Sequence, residues 1–217
     1  MPETNFSIKE ALSFGWYKMK SHFSILIGIV FLQFFIYFSF SFFERMIQEI
    51  DSVFIALLVY FIYLFVSTVI NMGIIKISLK IHDNEKIKSD DLIASYPLFL
   101  TFMIASIISS LLIFFGLIAF LIPGIILAIK FFFVDYLIVD KKLGPIESLK
   151  KSWQITKGNK WNLFLFILLL AFINILGFIC LIIGLLITIP TTLMATAFVY
   201  RKLLTQVEAI QTGRALL

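Results

Sequence analysis

The sequence has few of the residues that build a soluble surface or a covalent framework. Only 14% of its 217 residues are charged, whereas 61% are hydrophobic. A soluble domain carries roughly 25% charged residues, so this chain lacks the polar side chains to cover itself in water. Its single cysteine, Cys180, excludes an intramolecular disulfide and a zinc site built on several cysteines. The composition therefore predicts an integral membrane protein.

Motifs of the common enzyme classes are also missing. The chain has no phosphate-binding loop, no Gly-x-Ser-x-Gly elbow and no His-Glu-x-x-His pattern. We therefore expect no catalytic residue, no metal and no cofactor. An intramembrane enzyme is the least favoured functional class.

Long apolar runs predict six membrane-spanning helices, because about 20 apolar residues cross the hydrocarbon core. Two runs have single length and two have double length: 23–43, 53–75, 98–139 and 162–200. Each double run must fold back on itself. The turns are expected at 116–124, which contains Pro123 and Gly124, and between Gly177 and Gly184. The fold class is an all-α polytopic bundle of three hairpins.

The basic residues predict the orientation of these spans. Sixteen of the 18 Lys and Arg residues lie in the N-terminal lead, the second and fourth connections, and the C-terminus. All three tryptophans lie there too. Under the positive-inside rule both termini are then cytoplasmic, in a bacterial inner membrane. This distribution makes the net charge of +5 an orientation signal, so nucleic acid is not an expected partner.

A short amphipathic segment before each hairpin indicates an internal repeat. In the first, Ile8, Leu12, Trp16 and Met19 fall at helical spacing. Leu12 and Trp16 align with Leu149 and Trp153 of the third segment, and residues 91–96 form a weaker middle copy. We expect three repeats at about 6–82, 86–142 and 144–204 within one membrane domain, 1–217, each with a cytoplasmic interfacial helix before its hairpin.

Tryptophans and lysines on the basic side have two interpretations. They anchor the hairpins at the headgroup level, or they form a docking surface for anionic lipid or a partner protein. The partner would be a second copy of the chain or another membrane protein. The candidate docking residues are Trp16, Lys20, Lys150, Lys151, Trp153, Lys157, Asn159 and Trp161.

Polar residues inside the spans suggest a layer near mid-membrane. Its expected members are Gln33, Lys130, Asn174, Thr191 and Thr192. Asp135 belongs to the same set but lies nearer the cytoplasm, about 140° around the helix from Lys130. Ionisable groups are costly there and mark functional sites. The alternative is that the small polar residues hydrogen-bond between helices as packing contacts while the Lys130 amine extends toward water.

The stretch from residue 116 to residue 202 resembles bacterial six-helix membrane proteins of the YciC-like type, a family that includes the membrane domain of some glycerophosphodiester phosphodiesterases. The residues that carry this resemblance are Ile122-Pro123-Gly124, Asp140, Leu149, Ser152, Lys157-Gly158-Asn159-Lys160-Trp161 and Ala197-Phe198-Val199-Tyr200. The resemblance implies a membrane part without phosphodiesterase activity. Where relatives have a small residue, Pro and Tyr, this chain has Val134-Asp135-Tyr136, so the expected kink is removed.

Two functional classes stay open beside the enzyme class. The first is a non-enzymatic membrane protein that supports membrane or lipid homeostasis or scaffolds a partner. The second is a small transporter or exporter subunit, for which Pro190, the repeats and Lys130 argue. A hydrated cavity that reaches Lys130 would favour transport.

Overall fold

The computed structural model describes residues 6–48, 52–180 and 183–215. Over these ranges the chain is helical and contains no strand. The α-helices are α1 (Ile8–Ser21), α2 (Phe23–Gln48), α3 (Val53–His82), α4 (Phe99–Ala119), α5 (Leu121–Lys130), α6 (Val134–Lys141), α7 (Pro145–Ile155), α8 (Lys160–Ile179) and α9 (Leu185–Ala215). Two 3₁₀ helices, Ser89–Leu92 and Tyr96–Leu98, connect α3 to α4.

Five helical segments are long and apolar enough to cross a membrane. They are Phe23–Arg45, Val53–His82, Ser89–Ala119, Leu121–Lys141 and Lys160–Ile179. The sixth expected span corresponds to the first half of α9, which is not among these five. Pro190, Thr191 and Thr192 lower its hydropathy, and Arg201 follows soon after. The structure thus shows a membrane-type helical bundle with five apolar spans.

Both expected turns coincide with helix ends. α4 ends at Ala119, Phe120 is extended, and α5 begins at Leu121. Pro123 therefore lies in the first turn of α5, where a missing N–H breaks no helical hydrogen bond. The break between α8 and α9 falls between Gly177 and Gly184, although residues 181 and 182 lie outside the described part.

The expectation of an unkinked fourth span is wrong. This span is divided into α5 and α6 by three consecutive non-helical residues, Phe131, Phe132 and Phe133. The break lies directly before Val134-Asp135-Tyr136, so losing a proline there does not restore a continuous helix. The side chain of Ser152 on α7 replaces helical hydrogen bonds at this point.

The second expected helix is longer than its apolar run. α3 continues to His82, so Lys76 and Lys80 lie on the helix and do not end it. Both ammonium groups contact Asp91, at 3.3 Å from Lys76 and 2.8 Å from Lys80. Asp91 also accepts the backbone N–H of Lys88 at 2.8 Å. These contacts attach the 3₁₀ connection to α3, and the middle segment does not form an α-helix.

The buried core lies where α3, α6 and α9 pack together. The rings of Tyr136 and Tyr200 contact each other at a tilt, with centroids 5.3 Å apart, and Met72 and Leu137 are fully buried in the same cluster. The second half of α2 and the first half of α3 instead expose many phenylalanines and aliphatic residues. We call the end of the bundle that carries Asp83, Asp140 and Arg201 the charged end.

The buried face of α1 agrees with the expected one at Ile8, Leu12 and Met19 and differs at Trp16. Ala11, Gly15, Lys18 and Met19 are buried, whereas Trp16 is 45% exposed. Gly15 explains the difference, because a Cβ there would collide with the backbone of α9 at Thr191. α1 therefore packs closely along α9 through its small residues, and Trp16 is directed outward.

The three segments that precede the helix pairs α2–α3, α4–α5 and α8–α9 pack in a cyclic order. α1 packs on α9, the 3₁₀ helix Ser89–Leu92 packs on α3, and α7 packs on α6. Each contact uses a small residue close to backbone atoms: Gly15 against Thr191, Gly73 against Leu92, and Ser152 against the α5–α6 break. The second and third segments each pack on the helix or span that ends the preceding pair: α3, and the fourth span with its parts α5 and α6. Because α1 packs on α9 of the last pair, the three contacts form a closed cycle.

The Gly73 contact gives a testable stability difference. A Cβ on Gly73 would overlap the backbone of Leu92, so Gly73→Ala should lower the free energy of unfolding by about 1–3 kcal/mol. Gly28→Ala is the matched control, because a Cβ there has nothing within 4 Å. It should raise stability by roughly 0.5–1 kcal/mol through helix propensity. Reversible unfolding in mixed micelles measures both, and equal effects would contradict the packing.

Candidate functional site

A cavity of about 420 Å³ lies at membrane depth between α2, α3, α4, α6 and α9. Leu, Ile and Val form most of its wall, and its polar side chains are Gln33, Asn71 and Asp135. The Gln33 Nε2 atom donates to the Asn71 Oδ1 atom at 3.2 Å. Pro190 of α9 also contributes to the wall. An apolar cavity with a few convergent polar groups is typical of a binding site for a small molecule. We call it the central cavity.

A second cavity, of about 490 Å³, lies on the other side of α6. Three hydroxyl groups from one face of α4 line it, those of Ser106, Ser109 and Ser110, together with Thr196 of α9. We call it the serine cavity. Asp135 contributes to the walls of both the central cavity and the serine cavity.

The Asp135 carboxylate has no compensating partner in the described part of the chain. Within residues 6–48, 52–180 and 183–215 it makes neither a salt bridge nor a hydrogen bond. An ionised carboxylate inside a span costs up to roughly 2.5–3.5 kcal/mol, the value at the centre of the span. A carboxylate left in this state beside two cavities is a candidate for binding a ligand.

Ser152 stabilises the broken span that carries Asp135. Its Oγ atom donates to the Lys130 carbonyl oxygen at 2.7 Å and accepts the Phe133 N–H at 3.3 Å. The side chain is fully buried. Backbone groups freed at membrane depth must find partners inside the protein, and this hydroxyl satisfies two of them. α7 thereby fixes the point at which α6 begins.

Lys130 is directed away from both cavities. Its ammonium group lies over the indole ring of Trp153, which is a cation–π contact. Trp153 also packs beside Phe131 in the break, with ring centroids 6.2 Å apart. Lys130 and Asp135 therefore face different surroundings, as expected from their positions, but Lys130 lines neither cavity.

The other residues of the expected polar layer form separate contacts. The Asn174 Nδ2 atom donates to the Thr192 Oγ1 atom at 3.4 Å. The hydroxyls of Thr191 and Thr192 donate to carbonyl oxygens of their own helix, those of Ile187 and Ile189. Gln33 pairs instead with Asn71, a residue the sequence analysis did not select. The structure thus brings Asn174 and Thr192 together, places Gln33 and Asp135 in the wall of the central cavity, and separates all four from Lys130.

A cluster of four residues at the charged end joins the inner helices. Arg201 of α9 donates through Nη1 to Asp140 at 2.7 Å and through Nη2 to Asp83 at 2.6 Å. The Tyr200 hydroxyl donates to the same Asp140 oxygen at 2.8 Å. We call these residues the Arg201 cluster. Because Asp83 follows α3 and Asp140 ends α6, one guanidinium connects all three core helices.

The electrostatics of the cluster favour its charged form. Burial alone would lower the pKa of the Arg201 guanidinium, but its hydrogen bonds and charge contacts with Asp140 and then Asp83 raise that pKa above its ordinary value. The Arg201 guanidinium is therefore charged at neutral pH. At the charged end of the bundle, the Arg201 cluster thus links α3, α6 and α9 through ion pairs.

The candidate docking residues lie mostly at the surface. Trp16, Trp153 and Trp161 are 45%, 41% and 78% exposed. The Lys20 ammonium lies over the Trp16 ring at 4.6 Å from its centroid. Lys150 and Lys157 are exposed and Lys151 is half-buried. Asn159 is 2% exposed, so it cannot form part of a docking surface without a local change.

Metal ligands are not clustered in the part of the chain that the structure describes. No group of three or more His, Cys, Asp or Glu side chains there could hold an ion. The central and serine cavities have one carboxylate between them.

Comparison with known proteins places part of the chain beside an uncharacterised family. A family model described as a protein of unknown function (DUF975) matches residues 109–207. This is a little under half of the chain, and it runs from the serine-bearing part of α4 to α9. It includes Asp135, Ser152 and Arg201. No curated protein and no solved structure matches the chain. The similarity therefore covers the segment that contains the broken span, and the family has no known activity.

Proposed function

We propose that this chain is a six-span protein of the bacterial inner membrane, with three hairpins and both termini in the cytoplasm. The sixth span is residues 185–200 of α9, which need less hydropathy because neighbouring helices bury much of their surface. The charged end is the cytoplasmic end under the positive-inside rule. The relationship to YciC-like proteins belongs to the same proposal.

The cyclic packing supports the three-repeat organisation. If residues 6–82, 86–142 and 144–204 are copies, equivalent segments should make equivalent contacts. Gly15 of α1 and Ser152 of α7 occupy aligned positions, and both lie against the backbone of another helix. Repeats that all begin on one side of the membrane are related by an axis along the membrane normal.

The proposed function is non-enzymatic: the protein supports lipid homeostasis or scaffolds a partner from its cytoplasmic surface. The observation that carries this proposal is the exposure of all three tryptophans near exposed lysines. Indole rings suit the membrane interface, and lysines attract anionic headgroups by about 1 kcal/mol each. We call this set of Trp16, Trp153 and Trp161 with Lys20, Lys150 and Lys157 the tryptophan–lysine surface.

Removing the three lysines tests this function. Lys20→Gln, Lys150→Gln and Lys157→Gln together should weaken retention of phosphatidylglycerol on the purified protein by at least about tenfold, given the expected contribution per lysine. Native mass spectrometry measures the retained lipid. The matched control replaces Lys86, Lys88 and Lys142, which are exposed and lie away from the tryptophans. Equal losses in both triple variants would show that net charge alone decides retention.

A small transporter is the second candidate, favoured by the broken span between two cavities. Discontinuous helices at membrane depth form binding sites in many transporters. In this chain such a site would be centred on Asp135, because Lys130 is held by Trp153. Transport requires the cavities to open alternately to the two sides, and the Arg201 cluster would have to separate on one of them. Labelling of a cavity cysteine from each side of the membrane tests this requirement.

A further inference from the structure

We propose that the central and serine cavities, which share Asp135, bind a substituted ammonium ion, with the Asp135 carboxylate as its counter-charge. The site is independent of the tryptophan–lysine surface. It would serve a transporter as a substrate site and a non-transporting protein as a ligand site.

The charge balance supports a cation as the ligand. No described residue forms a salt bridge or a hydrogen bond with the Asp135 carboxylate, so its ionised form lacks a counter-charge unless a cation binds beside it. The nearby basic groups are engaged elsewhere: Lys130 lies over Trp153, and Arg201 is shared by Asp83 and Asp140. A cation beside Asp135 would remove the cost of an isolated charge at membrane depth. An anion would meet uncompensated repulsion there.

The size and lining of the cavities favour an organic cation over a metal ion. Volumes of about 420 and 490 Å³ exceed what a bare ion fills. A metal ion would also require several oxygen ligands around one point, whereas the amides of Gln33 and Asn71 pair with each other. Aliphatic side chains cover most of the central cavity and suit alkyl groups. The serine hydroxyls can accept hydrogen bonds from an N–H of the ligand.

Charge-selective labelling tests the site without knowledge of the natural ligand. In a Cys180→Ser background, Ser109→Cys places a thiol in the wall of the serine cavity. Its rates are measured with trimethylammonioethyl and sulfonatoethyl methanethiosulfonate, which differ in the sign of their charge. The exposed native Cys180, in a protein with Ser109 intact, provides the reference ratio. We expect the cationic-to-anionic ratio at position 109 to exceed the reference by about tenfold or more, because of the nearby negative charge.

The decisive comparison is Asp135→Asn, which keeps the shape of the side chain and removes its charge. The rate ratio at position 109 should then fall to the reference value. Asp90→Asn is the control, because Asp90 is an exposed carboxylate in the 3₁₀ connection, and it should leave the ratio unchanged. No reaction with either reagent, or a ratio that Asp135→Asn does not change, would overturn the proposal. Ser110→Cys provides a second thiol if Ser109→Cys does not fold.

Protection experiments separate two sources of the ammonium group. Free tetrapropylammonium should slow labelling at position 109 in the protein with Asp135 and not in Asp135→Asn. If the ammonium group belongs to a lipid headgroup, labelling at position 109 should be slower in nanodiscs of phosphatidylethanolamine than in nanodiscs of phosphatidylglycerol. This difference should be present in the protein with Asp135 and absent from Asp135→Asn. Either result supports a site for a substituted ammonium ion and identifies its source. Failure of both ligands to protect would contradict binding.

Discussion

Replacing Arg201 by alanine is expected to lower the free energy of unfolding by about 2–4 kcal/mol, because it leaves two partly buried carboxylates without a counter-charge. The Arg201 side chain is only 20% exposed, and Asp140 is 13% exposed. Tyr200 would also face Asp140 without the guanidinium that now shares its oxygen. Reversible unfolding of the purified protein in mixed micelles measures the difference.

Lys202→Ala is the matched control for Arg201→Ala, because it removes a neighbouring basic residue from an exposed pair. Lys202 contacts Glu10 at 2.6 Å, with the two side chains 30% and 53% exposed. Such surface pairs contribute about 0–1 kcal/mol. If both variants lost the same stability, the Arg201 cluster would not hold α3, α6 and α9 together. Arg201→Lys should be intermediate, since one ammonium cannot reach both carboxylates with paired hydrogen bonds.

Ser152→Ala is expected to lower the free energy of unfolding by about 2–4 kcal/mol, because it leaves two backbone groups unsatisfied at membrane depth. The hydroxyl now bonds the Lys130 carbonyl and the Phe133 N–H, which belong to the break between α5 and α6. The same unfolding measurement applies. The variant should also disturb the position of Asp135, so the charge-selective ratio at position 109 should change with stability.

Ser148→Ala separates this bridging contact from the general loss of a buried hydroxyl. Ser148 lies one turn earlier on α7 and is equally buried, but its Oγ atom donates to Pro145 within the same helix. Its removal should cost less than about 1 kcal/mol. An equal cost at both positions would mean that Ser152 does not act through the broken span.

The sequence predicted the local features of the fold well. Apolar runs placed all five spans and both turns, because burial in lipid demands about 20 apolar residues in sequence. The first half of α9 is the exception among the expected spans. Its Pro190 and threonines reduce hydropathy, yet neighbouring helices cover Met194, Ala195 and Ala197. A segment covered by protein does not need the hydropathy of one that faces lipid.

Contacts between distant segments could not be read from the sequence. The expected angle of about 140° between Lys130 and Asp135 assumed a continuous helix, but residues 131–133 interrupt that helix and the Lys130 ammonium group lies over Trp153. The signal for the break was Ser152, which stood only among the residues of the family resemblance. The Arg201 cluster joins a charge within α9 to charges at the ends of α3 and α6, and each of these charges alone is typical of a membrane boundary. Asn71 was missed because a single amide in an apolar run is ordinary.

The closure of the cycle by α1 on α9 has a consequence for biosynthesis. The 180 residues that separate Gly15 from Ala195 must be made before the two can meet. At about 5–20 residues per second, the interval is roughly 10–35 s. During this time α9 is not yet present to cover the small-residue face of α1. The Phe6 carbonyl oxygen also lacks the hydrogen bond that the Asn162 side chain donates to it in the folded protein, at 2.7 Å. α1 is thus made well before the helix that covers its small-residue face, and it completes its packing only after α9 has been made.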